Sequence, residues 1–236
     1  DRSAHNQITN AVTKYIVHNP ISNQANERKP PVSNSKTTLK VLFLANLLPY
    51  KGIYEFLKIA DQLKNVPEIQ FIIAGGNSRP PTVYKTRVGR LLSILGIYKD
   101  NVEEVQRIIK TNHLSNVEYR GFIKDIDKLF SDVHLLLLPS FMNQPSRCVY
   151  EAALYYIPTI ITMRDKVEDV IMHEETGYIF EEGKIHDMAN QLKYLQHNFK
   201  KVEELGNAAC DKIIDQHDVN SANIQTSSIY ESVLAR

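Results

Sequence analysis

A doubly wound α/β fold with a parallel sheet is the architecture this sequence predicts. Three observations predict it. Short runs such as KVLFLA (40–45), IQFIIAGG (69–76) and VHLLLLPS (133–140) are apolar throughout and of strand length. Segments with helical spacing alternate with them. Strands that are apolar on both faces must be covered on both sides, which helical crossovers between parallel strands achieve.

The elements follow in order. Residues 1–38 are read as a lead segment and linker. TKYIVHNP (13–20) has the character of a short strand, and SNQANERKPPVSNSKTT (22–38) is polar with a Pro-Pro pair. After the first strand, Ile53, Phe56, Leu57, Ala60 and Leu63 share one face of a helix over 53–63. The strand 69–76 precedes a helix at 102–114. NVEYRGF (116–122) reads as a strand, DIDKLFSD (125–132) as a short helix and VHLLLLPS as a strand. A helix at 146–156, the strand TIIT (159–162), a short helix near 167–172 and a small strand TGYIF (176–180) come next. Helices at 186–198, 200–217 and 221–235 close the chain. The Rossmann-like domain is placed at 39–217. Residues 218–236 are expected to cross toward a domain N-terminal to this one, leaving their apolar side chains poorly covered.

The 236 residues are 43% hydrophobic and 23% charged, with a net charge of +1. That balance excludes a strong field directed at nucleic acid or acidic lipid. Cys148 and Cys210 match no metal spacing and suggest reduced thiols. No apolar run approaches the ~20 residues that span a bilayer. The sequence opens at Asp1 without a Met, which raises the expectation of a longer protein. Segment 77–101 carries Arg79, Lys85, Arg87 and Arg90 ahead of LLSILGIY. Such a stretch suits a membrane surface, but a helix with a solvated basic face is the preferred reading.

In sheets of this class ligands sit beyond the carboxyl ends of the strands, so the loops after Ala45, Ala74, Gly121 and Leu138 matter most. ANLLPYKG (45–52) holds one glycine and no dinucleotide fingerprint. No NTPase phosphate loop is present, and HLLLLPS offers no strand-end Asp for a phospho-acceptor. What remains is an arrangement of charge. Lys51 lies in a loop that opens a helix, and so does NQPSRCV (143–149). A helix start offers free N–H groups and about half a positive charge. Amides near Ser146, Arg147 and Cys148 suit an anion, with Lys51 and Arg147 as cations. Glu151 repels a phosphate but accepts hydrogen bonds from a sugar diol. Together they suit a nucleoside diphosphate with its ribose. Alone, Lys51 would pass for a solvated surface lysine.

Here the sequence resembles the C-terminal, donor-binding half of a GT-B fold glycosyltransferase of the large retaining family 4. ANLLPYKG is similar to that family's strand followed by G-R-x-x-x-x-K-G. IIAGG resembles IVGDG, and NVEYRGFIKDIDKLFSDVHLLLLPS resembles its turn, helix and strand ending in PS. SFMNQPSRCVYEAA (140–153) resembles S-x-x-E-P-F-G-R-V-x-x-E-A. IPTIIT parallels LPVVAT, and DVIMHEETGYIFEEG (169–183) parallels EIVEDGETGLLVPPG. The likeness runs from about 40 to 197, and KYIVHNPI (14–21) matches the family's VIPNGI. Each match alone is common; the ordered set is distinctive.

The resemblance implies roles. Lys51 would pair with the donor diphosphate, and Glu151 would hold the ribose hydroxyls. Amides at Ser146, Arg147 and Cys148 would face phosphate and sugar, and backbone near Phe122 and Ile123 would meet the base. Asn46 stands where the family usually has a phosphate-binding Arg. Asn143 stands where the first Glu of the E-(seven residues)-E motif lies against the donor sugar. An amide there hydrogen-bonds hydroxyls without supplying negative charge. Asn143 also suits a helix cap ahead of Pro145. The implied partners are a UDP- or GDP-sugar, a sugar or lipid-linked acceptor and an N-terminal acceptor domain. No nucleic acid, cofactor or metal is expected. The DID at 125–127 opens a helix, where acids favour the dipole. His18, His134, His173 and His186 suit core or surface roles. The expected setting is cytoplasmic polysaccharide or glycolipid synthesis, peripheral to the inner membrane face. Two other readings stand beside it: a degenerate, non-catalytic module for protein contact, and a sugar-nucleotide epimerase of the same architecture.

Overall fold

The computed structural model describes residues 38–77, 86–88, 91, 100–163, 171–217 and 219–234. The expected strand at 13–20, the bulk of the basic segment 77–101 and most of the short helix near 167–172 lie outside them.

Among the described residues six parallel strands form one sheet in the order β3-β2-β1-β4-β5-β6. They are β1 (Leu39–Leu44), β2 (Ile69–Ala74), β3 (Val117–Gly121), β4 (Leu135–Leu138), β5 (Thr159–Thr162) and β6 (Gly177–Phe180). All four residues of β4 are buried, as are all four of β5. This is what continuous apolar runs in a doubly covered sheet require. β1 meets β2 in register from Leu39↔Ile69 to Leu44↔Ala74, and meets β4 at Val41↔Leu135 and Leu42↔Leu136.

The helices named among the described residues are α1 (Ile53–Gln62), α2 (Asn101–Thr111), α3 (Ile126–Ser131), α4 (Arg147–Ala153), α5 (Ile185–His197), α6 (Phe199–His217) and α7 (Val219–Leu234). On α1, Ile53, Phe56, Leu57, Ile59 and Ala60 are buried. The Phe56 ring packs between Phe43 of β1, at 5.3 Å, and Phe71 of β2, at 5.4 Å. α1 packs against α5, and α4 packs against α6. The chain runs from β1 out to β3, then crosses back to β4. Right-handed crossovers therefore place α1 and α4 on opposite faces, and the loops after β1 and β4 part at the switch point between those strands. Asp125 accepts a hydrogen bond from the Lys128 amide as the N-cap of α3. The DID motif thus starts a helix, as the dipole argument expects. On α7, Ile224 and Tyr230 are 70% and 66% exposed.

His134 opens β4 as a neutral acceptor, its Nδ1 taking the Lys40 amide proton at 3.0 Å. Its ring also meets Phe199 edge-on at 5.3 Å. Burial, assisted by the Lys40 charge, pushes its pKa from 6.5 down to about 4. Between those values the unfolded chain binds a proton that the folded chain excludes. The stabilisation is therefore complete above pH 6.5 and disappears as pH falls toward 4, on the order of 2 kcal/mol. Urea midpoints at pH 7.5 and 5 should fall accordingly, and His134→Asn should flatten that difference.

Glu174 takes a left-handed φ of 68° in the turn before β6, where its amide donates to the Gly177 carbonyl. The resembling segment EDGETG has glycine at this position. Glu174→Gly should raise stability by about 1 kcal/mol, read as a higher urea midpoint.

Candidate functional site

The two loops that sequence reasoning selected meet at the carboxyl edge of the sheet. After β1 the chain makes one 3-10 turn, Pro49–Lys51, and enters α1 through Gly52. Gly52 has a φ of 87°, and a Cβ there would overlap the Pro139 carbonyl oxygen at the end of β4. The glycine is what lets the two loops touch. The Phe141 amide then donates to the Tyr50 carbonyl at 2.9 Å, tying the strand-4 loop to the strand-1 loop. Thr162, at the end of β5, donates its hydroxyl to the Ser140 carbonyl and secures the same loop from the other side.

Lys51 is half-buried in this junction. Its ammonium donates to the Met142 thioether at 3.0 Å and lies 5.6 Å from the Tyr50 ring centroid. Among the described residues no carboxylate pairs with Lys51. A thioether is a weak acceptor, so the ammonium keeps most of its capacity for an anion.

Across the junction, Ser146 is the N-cap of α4, but its hydroxyl contacts the Cys148 sulfur at 3.1 Å instead of closing onto a helix amide. The first-turn amides of a helix have no partner within it, and here the capping side chain supplies none. Asn143 lies three residues before that cap and is exposed. The expectation that Asn143 caps the helix is corrected: Pro145 separates it from the first turn, and Ser146 holds the cap position. Asn46 is exposed at the tip of the loop after β1, and its carbonyl accepts from the Leu48 amide.

Cys148 is buried beneath this junction. Burial pushes its thiol up to about 11, so it stays protonated at neutral pH and is no nucleophile. Two opposite charges act on it from the site: the Glu151 carboxylate raises its pKa further and the Lys51 ammonium lowers it. Both charges thus act on the same buried sulfur.

Glu151 is not free. Its Oε1 accepts from Arg147 Nε at 2.8 Å, a pair four residues apart on α4. The Arg147 side chain is 90% exposed, against 31% for Glu151. A pair so open to water is worth only about 0.3–0.5 kcal/mol, so a ligand diol can take the carboxylate from Arg147. Arg147 thus contacts the acid instead of standing free as an anion ligand. That pairing was visible in the spacing; the Met142 partner of Lys51 was not, because no sequence rule aims a thioether at an amine.

Phe122 is 79% exposed just after β3, while Ile123 packs partly into the core. The β3 edge lies two strand spacings, about 10 Å, from β1. The Gly75 amide donates to the Gly121 carbonyl and the Leu47 amide to the Gly76 carbonyl, lacing the three loop ends together. Among the described residues no three His, Cys, Asp or Glu side chains converge as metal ligands, and no helix is long and apolar enough to cross a membrane.

This architecture, six parallel strands with a switch point between β1 and β4, defines a Rossmann-like α/β domain of the kind found in GT-B glycosyltransferases. The profile of the family Glycosyl transferases group 1 matches residues 23–212, most of the chain, and the protein belongs to that family. It is 27% identical over 185 residues to a 2-deoxystreptamine N-acetyl-D-glucosaminyltransferase of Niallia circulans, covering 75% of this chain and 42% of that protein. The chain thus spans less than half the length of that curated relative. Among solved structures, Anabaena Alr3699/HepE in complex with UDP-glucose superposes with a TM-score of 0.66 at 20% identity, over 83% of this chain and 49% of that one. The C-terminal domain of the group 1 glycosyl transferase LpcC from Francisella tularensis superposes with a TM-score of 0.62 at 18% identity. That match covers 80% of this chain and 96% of that one.

Proposed function

We propose that this chain is the donor-binding half of a retaining glycosyltransferase that uses a UDP- or GDP-sugar. The observation that carries the reading is the junction joining the Lys51 loop to the loop that leads into α4, through the Phe141–Tyr50 hydrogen bond and the close approach of Gly52 to Pro139. The ammonium binds the diphosphate and stabilises the charge that grows on it as the bond to the sugar breaks. Uncapped amides at Ser146, Arg147 and Cys148 share that load. Glu151 exchanges its Arg147 contact for the ribose diol, and Phe122 with Ile123 lines the path to the base. Asn143 hydrogen-bonds sugar hydroxyls without adding charge. The acceptor hydroxyl forms its new bond on the face that the diphosphate leaves. No cofactor or metal takes part. The relative solved with UDP-glucose and the one described as an N-acetylglucosaminyltransferase support a sugar-nucleotide donor. A sugar or lipid-linked acceptor, held by a further domain outside this chain, completes the reaction. The reading extends to cytoplasmic polysaccharide or glycolipid synthesis at the inner membrane face.

Titration calorimetry with UDP and with GDP tests this reading. Saturable heat with at least one nucleotide, at a Kd from about 0.1 to a few millimolar, is expected of a half-site. No heat with either at millimolar concentration contradicts it. Neutral residues at 46 and 143 favour a second reading, a module that kept the fold for protein contact alone.

A further inference from the structure

The Lys51 ammonium rests on an oxidisable atom. The Met142 thioether accepts from Lys51 Nζ at 3.0 Å. The backbone just ahead of Met142 is tied on two sides. The Phe141 amide holds the Tyr50 carbonyl at 2.9 Å, and the Ser140 carbonyl takes the Thr162 hydroxyl. These ties keep the sulfur beside the ammonium. A thioether sulfur has two lone pairs and is a weak acceptor. Lys51 engages one of them, and the other is left for an electrophile. Of the four methionines in the chain, Met163 and Met188 are buried, at 2% and 1% exposure. Met142 is half-buried, as is Met172, whose amide donates to Thr176 Oγ1 in the turn before β6. Cys148 is buried and its thiol stays protonated, which makes it the poorer target of the two sulfurs near Lys51.

We propose that Met142 is an oxidation site whose sulfoxide captures the Lys51 ammonium. The oxidant is hydrogen peroxide. A sulfur lone pair attacks one peroxide oxygen, and the O–O bond breaks. The departing hydroxide takes the proton of the transferred hydroxyl and leaves as water. Sulfur has then given up two electrons and holds one oxygen, and the peroxide has been reduced. A weak acceptor becomes a strong one, because the sulfoxide oxygen is the negative end of a polar bond. That oxygen stands one bond from a sulfur already 3.0 Å from Lys51 Nζ, within reach of the same ammonium. A phosphate must displace it before meeting the lysine, so nucleotide affinity should fall about 5- to 10-fold. Sulfoxide reductases restore the thioether, so the change is reversible. The fall in affinity rests on the donor-binding reading; capture of the lysine does not.

Wild-type chain and Met142→Leu are treated with millimolar hydrogen peroxide. Peptide mass mapping should find one added oxygen on Met142 well before any on Met163, Met188 or Cys148. Carbon NMR spectra recorded without nucleotide should show the Lys51 ε-methylene signal moving as the sulfoxide forms. The signal should return after methionine sulfoxide reductase. It should stay in place in treated Met142→Leu, where Met172 is the half-buried methionine that remains. Calorimetry with UDP and with GDP should give about 5- to 10-fold weaker binding after treatment of wild type, and no change on treatment of Met142→Leu. Should that variant not fold, reductase-treated wild type is the control. Met142 left unoxidised in folded protein, an unmoved Lys51 signal in oxidised wild type, or equal affinity before and after treatment would each overturn the proposal. Untreated protein that binds neither nucleotide would defeat the donor-binding reading alone, and the Lys51 signal would still decide the capture.

Discussion

Lys51→Ala should weaken UDP or GDP binding by about 10- to 100-fold while leaving the unfolding midpoint within about 1 °C of wild type. The affinity loss follows from removing a charge-assisted contact to phosphate, worth about 1.5–3 kcal/mol. The small stability change follows from what Lys51 touches in the folded chain. Its side chain meets a weak thioether acceptor and an aromatic ring 5.6 Å away. Neither holds the fold together. Calorimetry gives the first quantity and thermal unfolding the second. This variant also separates the two functional readings, since a module kept for protein contact would lose nothing at Lys51. A wild-type affinity in Lys51→Ala would remove the lysine from the site.

Gly52→Ala should have the larger effect on the fold itself, at least about 3 kcal/mol, or roughly a 10 °C lower Tm. Two costs add. Alanine disfavours the φ of 87°, and its methyl would overlap the Pro139 carbonyl oxygen, which is backbone and cannot rotate aside. Relief would require the β1 and β4 loops to separate. That separation would break the Phe141–Tyr50 hydrogen bond and move Lys51 away from α4. Nucleotide affinity should therefore fall in whatever fraction still folds. Gly183 offers a control: its φ is 81° but a Cβ there meets nothing within 4 Å, so Gly183→Ala should cost only about 1 kcal/mol.

The sheet was legible because its strands are apolar on both faces, and that pattern has one common physical solution. β4 and β5 are buried along their whole lengths. That the loops after β1 and β4 matter together was legible too, from where helices begin after strands, and the two loops do meet. Its inner wiring was not. Asn143 looked like a cap because Pro145 follows it, yet a proline two residues on says only that a helix begins nearby, and Ser146 holds the cap. Glu151 looked like a free acid, although Arg147 four residues before it was the ordinary helix partner. Met142 beneath Lys51 depends on loop geometry between distant strands. No local pattern encodes that contact.

The central claim is that one diphosphate and its ribose span Lys51 and Glu151. An amide-resolved NMR titration of the wild-type chain with UDP and with GDP reads it most directly. With the nucleotide that binds, resonances of Lys51 and Gly52 and those of Ser146, Arg147 and Glu151 should shift together along curves with a single Kd. Shifts confined to one group, or two groups with distinct Kd values, would contradict the account.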